Sequence, residues 1–304
     1  MQLKKEKQNI HGVVLLDKPT GMSSNKALQK VKHLFNAKKA GHTGSLDPLA
    51  TGLLPICLGQ ATKISEYLLN SHKKYTTVIK LGETTDTLDS EGQILQTKPV
   101  AVSEQQLQSA LQQFRGEIKQ IPPMYSALKK DGQPLYKLAR QGEEVERPAR
   151  DMTVYDLQAS RIDESHVRLD VHCSSGFYIR SLAHDLGQVL GCGAHVVELR
   201  RTAIKDTGLG QSITLADLES SESPTTSIGA IDSLLGDMPI LEINQQQEVS
   251  LLQGRVTMAN TEGSQRSCDG PLSRIHNAEG ELFGIGRIHQ SGQLKTEKMF
   301  IIKE

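Results

Sequence analysis

The 304-residue chain balances 35 lysines and arginines against 35 acids, is 37% hydrophobic, and has four cysteines and no tryptophan. That content supports a folded, mainly aliphatic core, and the length points to two domains. The cysteines (Cys57, Cys173, Cys192, Cys268) form no CxxC pair and no metal-ligand spacing, residues 1–8 hold no apolar signal core, and no eighteen-residue apolar run occurs. These features exclude a disulfide scaffold and a membrane span, and predict a cytoplasmic, soluble, non-exported chain with reduced thiols.

In chain order, Gly12-Val13-Val14-Leu15-Leu16 reads as a buried strand, closed by a turn at Asp17-Lys18-Pro19-Thr20-Gly21. Ser23 or Ser24 then caps a helix with Ala27, Leu28, Val31, Leu34 and Phe35 on one face and Lys26, Lys30 and Lys32 toward solvent. Residues 61–70 read as helical, 75–81 as a strand, and 82–92 as a loop holding Asp86 and Asp89. Ser103-Glu104-Gln105-Gln106 is a capping box ahead of Leu107, Ala110, Leu111 and Phe114, with Gly116 as the stop. Residues 120–150 are rich in Pro, Lys and Arg, with a hairpin signal at Lys130-Asp131-Gly132. Val167, Leu169 and Val171 alternate with polar residues as a strand, and Ile179, Leu182, Ala183, Leu186, Val189 and Leu190 stripe a helix. Residues 206–240 have no clear period, so a domain junction is placed near their end. The glycine-separated apolar runs beyond it, including 282–286 and 299–302, suit a small β-rich module.

Charge is unevenly spread. Residues 1–40 carry nine lysines against Glu6 and Asp17, whereas residues 205–250 carry one lysine against eight acids. Such asymmetry marks a polyanion-binding face as readily as a merely solvated one.

The stretch 41–55, GHTGSLDPLATGLLP, is the most constrained of the chain: three glycines, two prolines and one carboxylate. Glycine opens backbone angles closed to other residues and proline fixes φ, so the stretch can present Asp47 in one attitude. The simpler alternative makes Asp47 an N-cap with Pro48 at the first helical position. Conventional signatures are absent: no Walker loop, no GxGxxG, no HExxH, no GxSxG. Asp86 and Asp89 lack a third ligand and read as turn-formers rather than a metal site. Arg180 falls off its helix's apolar stripe; as a partner of Asp47 it would hold the carboxylate ionised, and an ionised, poorly hydrated aspartate is a nucleophile.

These residues resemble the TruB family of tRNA pseudouridine-55 synthases. The markers are Lys18-Pro19-Thr20-Gly21, the stretch 41–52, Gly59-Gln60-Ala61-Thr62-Lys63 and Lys74-Tyr75. They continue through 82–89, 120–129, 135–142, Gly176-Phe177-Tyr178-Ile179-Arg180 and Leu199-Arg200-Arg201. Ser45, Gln60 and Phe177 depart from the family's usual Thr, Glu and Thr without removing a catalytic group.

The resemblance implies an α+β catalytic domain on a mixed, mainly antiparallel sheet over residues 1–240, with an RNA-clasping insertion near 120–150. A PUA-like RNA-binding module over 241–304 is implied more loosely. It implies Asp47 as the nucleophile, Tyr75 against the base and in proton transfer, and Arg180 as the partner of Asp47. His42, Tyr178 and Leu199 would meet the substrate, and Lys18 and Pro19 would support the loop. The partner implied is the T-arm of tRNA, read by shape and by a flipped base at a cost of a few kcal/mol. No cofactor and no metal are implied, because the reaction is a redox-neutral isomerisation; a monomer is expected. Two rivals are a tRNA-folding chaperone acting on the T-loop without catalysis and an aspartyl-phosphate phosphotransferase, the latter needing a metal.

Overall fold

The computed structural model describes residues 6–259 and 268–301; Lys4 and Lys5 of the basic stretch and Ile302 of the last apolar run lie outside them. β1 (Gly12–Lys18) extends two residues beyond its apolar run, because Asp17 and Lys18 continue the ladder opposite Leu53 and Gly52. The expected turn is therefore shorter. In α1 (Ser24–Leu34) the Ser23 hydroxyl accepts the Lys26 N–H, and Ala27, Leu28 and Val31 are buried. β2 (Ala40–His42) and β3 (Thr51–Leu58) form an antiparallel hairpin around the glycine-rich stretch. After a 3-10 turn at Gly59–Ile64 and α2 (Ser65–Leu69), β4 (Lys73–Leu81) turns Lys73, Tyr75, Thr77, Ile79 and Leu81 inward at period two.

The loop expected over 82–92 contains β5 (Glu83–Thr85), which pairs with β6 (Ile94–Thr97). The capping box forms as the sequence requires, starting α3 (Glu104–Gln112). β7 (Gly116–Gln120) is followed by the insertion, where β8 (Lys129–Lys130) and β9 (Gln133–Pro134) close on Asp131 and Gly132 at φ 51° and 82°. Positive φ at both central residues is the geometry of a type I′ hairpin turn. Then come α4 (Leu135–Arg140), β10 (Arg150–Arg161), β11 (His166–Cys173), α5 (Ile179–Val189) and β12 (Ala194–Ile204). A Cβ on Gly187 would run into the Ala194 backbone, so glycine lets α5 fold back closely on β12. Residues 206–240 hold β13 (Thr207–Gly208), β14 (Ile213–Thr214) and α6 (Leu215–Ser220), the last capped by Thr214.

These strands make one ten-stranded sheet in the order β14–β1–β3–β12–β4–β11–β10–β7, with β2 on β3 and β13 on β12. Only β1/β14 and β3/β12 pair in parallel, so the sheet is mixed and mainly antiparallel. A second, five-stranded sheet follows: β15 (Ile240–Glu242), β16 (Thr257–Met258), β17 (Ser273–His276), β18 (Leu282–Ile288) and β19 (Gln293–Met299), ordered β15–β17–β18–β19–β16. It carries α7 (Gln245–Leu252), whose Asn244/Gln247 capping box is present in the sequence. Ile285 and Phe300 of this part share an apolar cluster with Val13, Cys57, Ile64 and Leu235. Lys63 Nζ also donates to Met299 O at 2.6 Å. Among the described residues no helix is long and apolar enough to cross a membrane.

Candidate active site

Asp47 is held by its neighbours rather than by a helix: no helix follows Pro48, and β3 begins at Thr51, which removes the N-cap alternative. The Ser24 hydroxyl grips Leu46 twice, accepting its N–H at 2.7 Å and donating to its carbonyl at 3.0 Å. Gly21 N–H and Thr20 Oγ1 donate to Pro48 O and Leu49 O. The fully buried Lys18 ammonium donates to Pro19 O at 2.8 Å and Met22 O at 2.7 Å, locking the turn that carries these donors. Burial drives the Lys18 pKa down to about 8 against the opposing charge of Asp47. Gly52, at φ +102°, lies so close to β12 that a Cβ would collide with the Arg201 backbone.

The structure brings Asp47, Tyr75, Tyr178, Arg180 and Leu199 to one cavity of about 300 Å³. Asp47 is the sole acid among its lining residues. The Arg180 Nε lies 2.9 Å from Asp47 Oδ2, with the arginine side chain 5% exposed and the aspartate 38%. Two backbone carbonyls fix the guanidinium, Thr87 O at 2.9 Å and Tyr125 O at 2.7 Å. Asp89 Oδ2 stands 3.5 Å from Arg180 Nη1. Arg180 thus leaves the apolar stripe of α5, as the sequence implies, yet is buried rather than solvated.

Crowding by protein around Asp47 disfavours its charged form and raises its pKa; Arg180 opposes that rise, and Asp89 adds to it. The partner arginine is present as expected, and burial outweighs it. The exposed part of the carboxylate faces the cavity.

Tyr75 is 9% exposed, and burial pushes its phenol up to about 12 despite the nearby Arg201 charge. It is a neutral donor at physiological pH. Tyr178 is tied by a reciprocal pair of bonds to Gln120: its N–H donates to Oε1 at 2.8 Å and its carbonyl accepts from Nε2 at 3.0 Å.

His42 lies on β2, half-buried, outside the lining of this cavity, and its buried Nδ1 has no hydrogen-bond partner among the described residues. Burial, then Arg201, lowers its pKa. Pro19 lines a separate cleft with Asp17, Thr51 and Arg200.

Sequence reasoning missed three side chains of the site. Asp86 and Asp89 both form turns as expected, accepting the N–H groups of Gln93 and Glu91, but Asp89 is also 3% exposed and turns its other oxygen toward Arg180. Lys73 and Arg201 also line the cavity, and both had a signal: each lies two positions from an inward residue of its strand, Tyr75 and Leu199.

Two family models match this chain. The N-terminal domain of the TruB family pseudouridylate synthases covers residues 32–179, and the C-terminal domain of tRNA pseudouridylate synthase B covers 180–238. The chain is 48% identical over 307 aligned residues to the tRNA pseudouridine synthase B of Ectopseudomonas mendocina, and 47% identical to that of Stutzerimonas stutzeri; 98% of each chain is covered in both cases. Among solved structures, a chain of a Cbf5-Nop10-Gar1 complex superposes with a TM-score of 0.72 at 28% identity. That match covers 96% of this chain and 85% of the other.

Proposed function

The chain belongs to the TruB family and is a tRNA pseudouridine synthase, and we propose that it isomerises uridine 55 of the T-loop with Asp47 as nucleophile. The observation that carries this reading is the 2.9 Å ion pair between Arg180 and the single carboxylate of a nucleoside-sized cavity. Attack by Asp47 lets the uracil detach, rotate and rejoin the ribose through C5. A nucleophile must be ionised, and burial works against that here; Arg180 supplies the opposing charge and holds the carboxylate toward the cavity.

Tyr75 packs on the flipped base, and stacking worth about 1–3 kcal/mol offsets part of the flipping cost. Leu199 and Tyr178 complete the apolar and polar walls, Lys18 and Pro19 hold the turn behind the loop, and His42 meets the opened T-loop. We assign catalysis to residues 1–240, the clasp to about 120–150 with its six basic residues (129, 130, 137, 140, 147, 150), and further RNA contact to the PUA-like part, 241–304. The chain would act as a monomer in the cytoplasm on the T-arm.

The test uses unmodified tRNA transcript with C5-tritiated uridine and the full chain in EDTA. Tritium release that vanishes when uridine 55 is replaced supports enzyme, site and metal independence together. Tight, salt-sensitive T-loop binding without release would replace the reading with the chaperone one, and release blocked by EDTA would reopen the phosphotransferase.

A further inference from the structure

Arg201 and Lys73 are two cations of the cavity that the roles above leave unused. Arg201 is 1% exposed; its Nε donates to Leu53 O at 2.8 Å and its Nη2 to Gly44 O at 3.2 Å, and its charge acts on the neighbouring Tyr75 phenol. Lys73 is 6% exposed and donates to Leu69 O at 3.0 Å and Ser71 O at 2.7 Å, at the end of α2. Among the described residues neither is ion-paired to an acid. Arg180, equally buried on the same cavity, has two acids, Asp47 and Asp89.

Taking a cation out of water is costly and is ordinarily met by a carboxylate. Both cations are held in place by neutral carbonyls, which orient the charge without cancelling it. Two uncompensated positive charges beside one cavity fit an anion that exists only while substrate is bound.

We infer that Arg201 and Lys73 make one wall of the cavity cationic and so stabilise the base as it departs with a negative charge, Arg201 serving as a positioning residue that acts through the Tyr75 hydroxyl. The inference rests on the reading that the reacting uridine enters this cavity. When the C1′–N1 bond breaks, its electron pair stays on N1, and the freed ring spreads one negative charge over N1 and its two carbonyl oxygens. The guanidinium charge beside the phenol polarises its hydroxyl toward donating a proton to the ring. Lys73 adds a second positive charge. Both interactions are stronger for the separated ring than for bound uridine, so they lower the barrier rather than tighten binding. As N1 leaves, the Asp47 carboxylate takes its place on C1′. C5 of the rotated ring then bonds to C1′ and displaces Asp47, which recovers the negative charge. C5 gives up its proton while N1 gains one, so no co-reactant is needed.

The experiment measures single-turnover rate and tRNA affinity for Arg201→Gln, Arg201→Lys and Lys73→Met. Two tRNAs are compared, with uridine or 6-azauridine at position 55; the aza base is the more acidic and departs with less help. Arg201→Gln is expected to slow the uridine substrate about 100-fold and the aza substrate less than about 10-fold, with affinity within about 3-fold. Lys73→Met, which leaves every Arg201 contact in place, is expected to show the same pattern at about a tenth of that size. Arg201→Lys keeps the charge and is expected to lose less than Arg201→Gln.

Equal losses on both substrates would make the two residues structural and overturn the inference. Lost affinity at unchanged rate would assign the cations to a phosphate and overturn it as well. Should Arg201→Gln fail to fold, the Lys73→Met comparison decides alone. Unaltered protein separates the failures: with release at position 55 intact, equal losses overturn this inference only, whereas release indifferent to position 55 overturns the underlying reading and the inference with it.

Discussion

The Asp47 loop and the basic insertion both border the same cavity, yet they are built in opposite ways. Seven of the eight residues of β3 are buried, and the loop before it is tied to β1, α1 and β12 through Lys18 on Pro48 O, Ser24 on Leu46 and Arg201 on Gly44 O. In the thirty residues 121–150 only Pro122, Pro123, Ser126 and Leu135 are buried, and the strands there are two residues long. The insertion meets the chemistry at its root, where Tyr125 O accepts from Arg180 and Ser126 and Ala127 line the cavity. Catalysis needs fixed geometry, and recognition of a folded RNA needs reach and charge. Under the proposed function each requirement has its own segment, joined through one arginine.

The sharpest way to break that division is Asp47→Asn, expected to cost at least about 10⁴-fold in tritium release while tRNA affinity stays within a few-fold. A large loss of binding would make Asp47 a loop-shaping residue. Next comes Arg180→Ala, expected to slow release about 100-fold. The pH dependence follows from the proposed role of the carboxylate: Asp47 would act ionised, burial holds its pKa above the ordinary range, and Arg180 lowers it. Rate should therefore fall as pH drops through that raised pKa, and removing Arg180 should move the acid limb to still higher pH. An unmoved limb in the pH–rate profile would separate Arg180 from Asp47 ionisation.

Stability should divide in the same manner. Leu54→Ala, at a fully buried position of β3, is expected to cost about 2–5 kcal/mol in denaturant unfolding, whereas Lys130→Ala in the insertion should stay within about 0.5 kcal/mol. For Tyr75, replacement by Phe should leave tRNA affinity within about 3-fold and replacement by Leu should lower it about 10-fold, if the ring stacks. The smallest effect belongs to the exposed pair Lys129 and Lys130: changing both to Ala should weaken tRNA about 3-fold and flatten the salt slope by about one to two phosphate contacts, at unchanged turnover. A drop in turnover instead would place the insertion among the parts that fix geometry.

Much of the fold was legible because local rules and the final packing agree. The Ser103–Gln106 box, the Asp131–Gly132 turn and the alternation in β4 and β11 each form where their chemistry requires. Where short elements rest on tertiary pairing, the pattern failed: β5 is three residues, β14 two, and α6 six, too brief to show a period. The Thr214 and Asn244 caps were nonetheless in the sequence and mark α6 and α7.

The site divides along the same line. By itself the sequence determined that residues 41–52 form a rigid loop presenting one carboxylate and that Arg180 stands apart from its helix's apolar stripe, because backbone restriction and helical periodicity are local properties. Only the tertiary structure decided what those groups face. Asp86 and Asp89 are three residues apart, alike in sequence and both turn-formers, yet only Asp89 also backs Arg180. Lys73 and Arg201 became two cations bordering one cavity when β4 and β12 paired. Burial and partnership come from elements far apart in the chain, and no local pattern encodes the low dielectric that gives those charges their force.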